Sequence, residues 1–310
     1  MEKNMLIINS VIPTFIIIAI GFALKQKKVM EPCTETFLNN LAYYLILPVM
    51  IFDSIYKVPF KEIFEIKVIL GLYAVSVLVF ILCVLIAMKL PKEKKGAFVN
   101  GALRSNIAYI GFPIAYSLYG THGLARLSVV TGFVAPVLIG LAIAYLNIIH
   151  KDNSKKQRLA EVLLKDPLIL TCIAALAASY YGLKIPVVFS NTISMLAMMG
   201  SPLMLLAVGA GLNIAIIRRD RVLLGLASFI KLLLFPALSF FIFTYLLKIT
   251  DKETLGVAVL TFSFPTALSS YVLVKKYGSD HEFSAAAITV TTALSLFTIS
   301  MWIYIISSVQ

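Results

Sequence analysis

Charged residues are scarce in this chain of 310 residues, because Asp, Glu, Lys and Arg together make up only 14% of it. Hydrophobic residues make up 60%, and the mean hydropathy is +0.94. A soluble domain has about a quarter charged residues and nearly half apolar ones. The composition therefore excludes an ordinary soluble protein and predicts an integral membrane protein.

Cysteine and histidine are also rare, with three residues of each. Cys33, Cys83 and Cys172 are widely scattered and lack the spacing of metal ligands, which argues against a disulfide framework. The histidines fall in predicted loops and form no metal motif. The sequence has no HExxH motif, no Walker loop and no nucleophile elbow. These absences give no support to an enzyme, a metal site or a cofactor.

Positive charge exceeds negative charge, and the formal net charge is +12. A basic balance can indicate nucleic-acid binding. Here the Lys and Arg residues cluster between apolar runs, where they would anchor cytoplasmic loops beside anionic lipid. The first basic cluster follows the first apolar run, so that run is predicted to be a membrane helix and not a cleaved signal peptide. We expect no nucleic-acid partner.

Long apolar runs fill most of the chain. A helix needs about 20 apolar residues to span a bilayer, and this length predicts ten spans. They cover roughly residues 5–24, 37–56, 67–88, 97–119, 125–148, 167–183, 190–214, 222–247, 254–274 and 283–306. The loops that would face the cytoplasm hold most of the Lys and Arg residues. The positive-inside rule therefore predicts a protein of the cytoplasmic membrane with both termini outside.

The predicted spans form an internal repeat of five. Residues recur at an offset of 154 or 152 positions: Pro13 with Pro167, Pro48 with Pro202, Gly71 with Gly225, and Phe112-Pro113 with Phe264-Pro265. A unit of five spans places its second copy upside down in the membrane, and such inverted repeats are common in secondary transporters. The predicted fold class is an all-α integral membrane protein with two inverted five-helix repeats. Residues 1–148 form the first repeat, 149–166 a cytoplasmic linker and 167–310 the second repeat.

Pro113 and Pro265 interrupt corresponding spans, numbers 4 and 9. A broken helix is tolerated in a membrane only where protein or a watery cavity covers the break, and paired interruptions indicate a transport site. If both helices break near the midplane, two half-helix N-termini face one space and suit an anion such as a carboxylate. The alternative is that the prolines kink the helices for packing alone.

Three charged residues lie clearly inside the predicted spans and not among their first residues, and charge at such depth is rare and mostly functional. Lys231, near the middle of span 8, could pair with a substrate carboxylate or carry a proton, and the alternative is a snorkelling or internally paired lysine. Arg104 either snorkels or gates the inner entrance for an anion. Asp53, near the outer end of span 2, is either solvated or capped, or takes part in proton coupling.

The remaining candidates for substrate binding lie close to the two prolines. They are Asn106, Tyr109, Gly111, Thr261, Ser263 and Ser269, together with Pro113, Pro265 and Lys231. Asn106 can donate to a carboxylate, or it can join neighbouring helices. The hydroxyl groups can line the site, or they can bond back to their own helices. Tyr109 is also typical of a packing or interfacial aromatic residue.

Four segments resemble a known family. They are "LILPVMIFDSI" in span 2, "RSNIAYIGFP" in span 4, "SPLMLLAVGAGL" in span 7 and "FPTALSSYVLVKKYGSDHEFSAAAITVTTALS" in the last two spans. Together they resemble the auxin efflux carrier (AEC, PIN-like) family over essentially the whole chain. The long central hydrophilic loop of the plant members is absent here, so the chain resembles a compact prokaryotic member.

The resemblance implies ten helices, with spans 1, 2, 6 and 7 as a scaffold that also dimerises and spans 3–5 and 8–10 as the transporting domain. Spans 4 and 9 would unwind and cross at Pro113 and Pro265, with Asn106 near the substrate, and an elevator-like movement would give alternating access. Bacterial relatives are associated with malonate and other organic acids. Bile-acid/sodium symporters share a similar architecture, so sodium coupling stays open as an alternative. Asp53 is the single carboxylate within the spans, which is a weak argument against a sodium site.

The sequence thus predicts a secondary transporter that moves a small organic carboxylate across the cytoplasmic membrane without a cofactor. Two other classes stay open. One is an anion channel on the same fold, and the other is a membrane sensor that binds a ligand without moving it.

Overall fold

The computed structural model describes residues 2–150, 164–213 and 220–309. Within these ranges every regular element is an α-helix or a π turn, and the only β-type pairing is an isolated antiparallel bridge between Ser105 and Thr266. The predicted all-α class is therefore confirmed. Most of the predicted linker, 149–166, lies outside the described residues.

Fifteen α-helices follow one another in the described ranges. In chain order they are α1 (Glu2–Gln26), α2 (Pro32–Leu41), α3 (Leu47–Tyr56), α4 (Phe60–Ile63), α5 (Ile66–Ala87), α6 (Lys92–Leu103), α7 (Phe112–Ile149), α8 (Pro167–Tyr180), α9 (Val187–Met198), α10 (Gly200–Gly211), α11 (Arg221–Phe229), α12 (Phe235–Phe241), α13 (Lys252–Ser263), α14 (Ser269–Lys276) and α15 (His281–Ser308). Four π turns join or precede helices, at Ala42–Ile46, Ile107–Gly111, Ile230–Leu234 and Ile242–Leu246.

The chain divides into two compact units. The first holds α1–α4, residues Ala108–Phe133 and α8–α10. In it α1 packs against α10 so closely that only glycine fits at the contact. A methyl group on Gly209 would lie 2.0 Å from the carbonyl oxygen of Ile18, and one on Gly21 would lie 2.3 Å from that of Leu206. Small residues of this kind let the backbones of membrane helices approach each other.

The second unit holds α5, α6, the second part of α7 and α11–α15. Within it α6 packs against α11 and α15, and α13 packs against α12 and α15. Gly96–Leu103 of α6 and Thr254–Ser263 of α13 are buried at every position. The C-terminal ends of α6 and α13 therefore lie in the interior of this unit.

Seven helices or helix combinations in the described chain are long and apolar enough to cross a membrane. They are Ile8–Gln26, Pro32–Tyr56, Phe60–Ala87, Ile107–Ile149, Val187–Gly211, Arg221–Leu246 and His281–Ser308. The membrane-protein class is confirmed, while the ten-span arrangement, its two inverted repeats and their boundaries stay predictions. Gly120 adopts φ 65° and ψ −154°, a region that glycine alone enters easily, and it kinks α7 between predicted spans 4 and 5.

The two interruptions differ from the prediction in one respect. Pro265 lies between α13 and α14, as predicted, but the first break lies at Arg104–Asn106 and not at Pro113. Pro113 is the second residue of α7, directly after the π turn Ile107–Gly111. In an α-helix a proline ring clashes with the carbonyl group four residues earlier, which here is that of Tyr109. The π turn that contains Tyr109 is wider than an α-helical turn. The assignment of the first break to Pro113 is therefore wrong.

Candidate functional site

Two short non-helical segments meet inside the second unit, and we call Arg104–Asn106 and Phe264–Leu268 the paired breaks. The main-chain N–H of Asn106 donates to the carbonyl of Pro265 at 2.8 Å, and the N–H of Ala267 donates to the carbonyl of Arg104 at 3.1 Å. These two bonds place Ser105 opposite Thr266. Backbone groups that leave a helix inside an apolar unit must find partners, and here each break supplies partners for the other.

The local sequence explains why the second helix ends where it does. Pro265 has no N–H to continue α13, and a residue before proline is driven out of the helical region. Phe264 accordingly has φ −68° and ψ 147°. Arg104, at the end of α6, is also extended, with φ −82° and ψ 120°. No proline follows Arg104 closely, so its conformation depends on the bonds to the second break.

Two threonines complete the hydrogen bonding of the paired breaks. The hydroxyl of Thr266 donates to the carbonyl of Gly101 at 2.6 Å, and the N–H of Thr266 donates to the hydroxyl of Thr291 at 3.1 Å. Gly101 lies in the last turn of α6, where carbonyls lack donors from their own helix. The sequence reasoning missed both residues. Thr266 could have been found because it directly follows Pro265, and Thr291 because it lies in a threonine-rich run of the final apolar helix.

Lys231 is fully buried beside the paired breaks, in the π turn that follows α11. Its ammonium group donates to the hydroxyl of Ser105, and to the carbonyl of Phe262 at 3.1 Å. It also lies over the ring of Phe235, 4.7 Å from the centroid, and that ring stacks on Phe262 at 4.1 Å. Lys231 is thus internally partnered, which was one of the two alternatives for this residue.

Asn106 occupies the end of the first break and is only 5% exposed. Its main-chain N–H is held by Pro265, but its side-chain Nδ2 is buried without a hydrogen-bond partner in the described chain. A buried donor left without an acceptor costs about 1–3 kcal/mol. The amide is therefore a fixed donor that an incoming acceptor group would satisfy.

Arg104 is 7% exposed, which disfavours the snorkelling alternative. Its Nη2 donates to the hydroxyl of Ser269 at 2.8 Å, so the first residue of α14 is tied to the last turn of α6. The guanidinium places a positive charge at the start of α14. Ser269 itself is exposed.

Thr261 and Ser263 lie in the last turns of α13, next to the second break. Their hydroxyls donate to the carbonyls of Val257 and Val259, at 2.7 and 2.9 Å. Both donors are therefore used within the helix itself, while the oxygen atoms can still accept. A role in substrate binding stays a prediction for both residues.

The remaining predicted residues belong to the first unit. Gly111, at the end of the π turn, and Pro113, in the first turn of α7, are both buried. The hydroxyl of Tyr109 donates to the carbonyl of Asn39 at 3.5 Å. Asp53 forms an ion pair with Lys57 at 2.7 Å and accepts a hydrogen bond from a serine of α9 at 2.9 Å. The structure thus places seven of the predicted residues in the second unit and four in the first. The seven are Lys231, Arg104, Asn106, Thr261, Ser263, Pro265 and Ser269, and the four are Asp53, Tyr109, Gly111 and Pro113.

Interrupted helices whose broken ends meet inside a polytopic helical chain are typical of membrane transporters. Comparison with known proteins agrees with this class. The sequence profile of a family described as "Membrane transport protein" matches residues 6–162 and 156–303. The chain belongs to this family, the auxin efflux carrier family that its sequence motifs resemble.

Several relatives align along nearly their whole length. An uncharacterized transporter of Methanocaldococcus jannaschii is 25% identical, with 97% of this chain and 99% of the relative covered. A protein of Rhizobium meliloti named "Putative malonate transporter" is 28% identical, with 96% and 95% covered. An uncharacterized transporter of Escherichia coli is 22% identical, with 96% and 97% covered. The chain is thus a membrane transporter, and its alignments cover 95–99% of the length of these relatives.

Proposed function

We propose that this membrane transporter is a secondary carrier of a small organic anion with at least one carboxylate. The observation that carries the proposal is the buried and unpartnered Nδ2 of Asn106 at the paired breaks. A carboxylate oxygen is an acceptor that would satisfy this donor, and hydrogen bonds to charged groups are stronger than neutral ones.

The backbone around Asn106 supports an anion. The π turn Ile107–Gly111 begins immediately after the first break, and α14 begins immediately after the second. The first N–H groups of a helical segment have no intrahelical acceptor, and that end carries about half a positive charge. Arg104 adds a full positive charge at the start of α14. These groups together favour a negatively charged guest over a neutral or cationic one.

The malonate transporter name of the Rhizobium relative is consistent with this substrate class. Malonate is a small dicarboxylate, and this chain is 28% identical to that relative over 96% of its length. We therefore propose short mono- and dicarboxylates as the first substrates to test.

The proposed mechanism is alternating access of the elevator type in the cytoplasmic membrane. Predicted spans 3–5 and 8–10 would move with the bound anion, and spans 1, 2, 6 and 7 would form a fixed scaffold that also makes a homodimer. Both chain termini would lie outside. Among the other predicted residues, Tyr109, Gly111, Pro113, Thr261 and Ser263 would contribute to substrate binding, and Asp53 to coupling.

Counterflow in proteoliposomes tests the carrier function. Purified protein is reconstituted, vesicles are loaded with unlabelled carboxylate, and uptake of the labelled compound is followed. A carrier gives saturable uptake that the internal substrate accelerates. Flux without counterflow would instead indicate an anion channel, and ligand-induced thermal stabilisation without flux would indicate a sensor.

Substitution of Asn106 tests the site. In Asn106→Ala we expect the apparent Kd or KM for the carboxylate to rise about 10–100-fold, because a hydrogen bond to a charged group contributes about 1.5–3 kcal/mol. Asn100→Ala is the matched control: Asn100 is buried in α6, but its Nδ2 already donates to Gly96 of the same helix at 2.9 Å. Unchanged affinity in Asn106→Ala, with folded protein, would remove Asn106 from the site.

A further inference from the structure

The buried ammonium of Lys231 is unusual because no carboxylate of the described chain lies beside it. Lys231 is 0% exposed, and no described Asp or Glu lies within ion-pair distance of it. A buried charge without compensation is strongly unfavourable. Its compensation must come from the groups that the ammonium does contact, namely the Ser105 hydroxyl, the Phe262 carbonyl and the Phe235 ring.

Two of these contacts come from residues at or just beyond the C-terminal ends of broken helices. The carbonyl of Phe262 belongs to the last turn of α13, and Ser105, which contributes its hydroxyl, lies two residues after the last residue of α6. The C-terminal end of a helix carries about half a negative charge on carbonyls without intrahelical donors. Two such ends approach each other at the paired breaks. The partial negative charge of such an end is favourable for the ammonium of Lys231.

In transporters with broken helices, unwound carbonyls and half-helix C-terminal ends coordinate the coupling cation. We propose that the ammonium of Lys231 is a tethered cation that occupies this position at the paired breaks, so that the carrier needs no dissociable metal cation there. Lys231 is then a positioning residue. It compensates the partial negative charge of the helix ends and holds the Ser105 hydroxyl in place, while the positive N-terminal ends of the following helical segments stay available to bind the anion. The inference that transport needs no metal cation rests on the proposed carrier function. The inference that the Lys231 ammonium occupies the cation position does not.

The contacts of Lys231 also decide against direct substrate binding. The ammonium group has three N–H bonds. Two of them point to protein oxygen atoms, and the Phe235 ring covers a further side. The stack of Phe235 on Phe262 holds that ring in place. A substrate carboxylate would have to displace one of these partners, whereas the Nδ2 of Asn106 requires no displacement.

A pair of substitutions tests the proposal with the full chain in detergent and without any substrate. Lys231→Ala removes the ammonium and leaves space for a small cation, whereas Lys231→Met removes the charge but fills the same space. Thermal unfolding is followed by the fluorescence of Trp302, the only tryptophan, whose Nε1 donates to the carbonyl of Leu232 at 2.9 Å. Ammonium, methylammonium, sodium and potassium chlorides are compared at constant ionic strength with N-methylglucamine chloride.

We expect at least one small cation to raise the unfolding temperature of Lys231→Ala saturably by about 5 °C or more, as a specific ligand does. Wild type and Lys231→Met should not respond. In proteoliposomes the same cation should restore uptake by Lys231→Ala about tenfold and leave Lys231→Met inactive. Wild-type uptake should be unchanged when N-methylglucamine replaces sodium on both sides.

Three results would overturn the proposal. The first is a folded Lys231→Ala protein that responds to none of the four cations, and the second is a wild-type carrier with a saturable requirement for sodium. The third is a Lys231→Met protein that keeps its uptake and changes only its pH dependence, which would make Lys231 a proton carrier. If Lys231→Ala cannot be purified, the proposal is tested by whether wild-type uptake requires sodium. Absence of counterflow in wild type would refute the carrier function but not the cation response of Lys231→Ala.

Discussion

Thr266 joins the second break to the end of α6, and removal of its hydroxyl tests whether the paired breaks stabilise the second unit. The substitution Thr266→Val keeps the shape of the side chain and removes only the donor to the carbonyl of Gly101, at 2.6 Å. Thr261→Val is a matched control five residues away. Both threonines are 0% exposed, but the hydroxyl of Thr261 bonds within α13 to the carbonyl of Val257.

The expected magnitudes follow from what happens to each acceptor. In Thr266→Val the carbonyl of Gly101 loses a hydrogen bond in the last turn of α6 and stays buried, which costs about 2 kcal/mol. In Thr261→Val the carbonyl of Val257 keeps the main-chain donor of the helix, so the cost stays within about 0.5 kcal/mol. At about 2–4 °C per kcal/mol, Thr266→Val should lower the Tm by about 4–8 °C.

Trp302 fluorescence provides the assay, with all variants scanned at one heating rate in the same detergent and without substrate. Trp302 is 6% exposed and lies in α15, within the unit that holds both threonines. Equal Tm values for Thr266→Val and Thr261→Val would show that the bond across the breaks adds nothing to stability. The argument that each break supplies partners for the other would then be refuted.

Two further predictions concern helix packing and electrostatics. Gly209→Ala should destabilise the protein by more than about 2 kcal/mol, because its methyl group would overlap the carbonyl of Ile18. Gly225→Ala is the control: its methyl group meets nothing within 4 Å, so the change should be neutral or stabilising by up to about 1 kcal/mol. Equal Tm values for the two variants would contradict the close contact of α1 and α10. Arg104→Gln should slow carboxylate uptake and weaken its dependence on ionic strength, because a charge that attracts the anion is lost. Ser269→Ala keeps that charge and serves as the control, and an Arg104→Gln protein with the wild-type salt dependence would exclude Arg104 from anion attraction.

The sequence located the second break because its cause is local. Pro265 cannot donate a main-chain hydrogen bond and forces Phe264 out of the helical region. The burial of Lys231 was equally predictable from its place near the centre of a long apolar run. The all-α membrane class also followed directly from the composition.

The first break could not be located in this way because its cause is tertiary. Arg104–Asn106 leaves the helix where Pro265 and Ala267 provide hydrogen-bond partners, and a single sequence does not reveal which distant segment lies opposite. The break was predicted at Pro113 because proline interrupts helices, but Pro113 lies in the first turn of α7 directly after a π turn, where it causes no break. The partners of Lys231 were hidden for the same reason, since Ser105 and Phe262 come from two different helices.

The scarcity of cysteine and tryptophan gives the native chain two separately addressable probes. Cys33 is exposed in the first unit, whereas Cys83 and Cys172 are buried, and Trp302 lies in the second unit. A thiol-reactive dye on Cys33 and the indole of Trp302 form a donor–acceptor pair for resonance energy transfer. The distance between Cys33 and Trp302 can therefore be measured with and without a carboxylate in the unmutated protein.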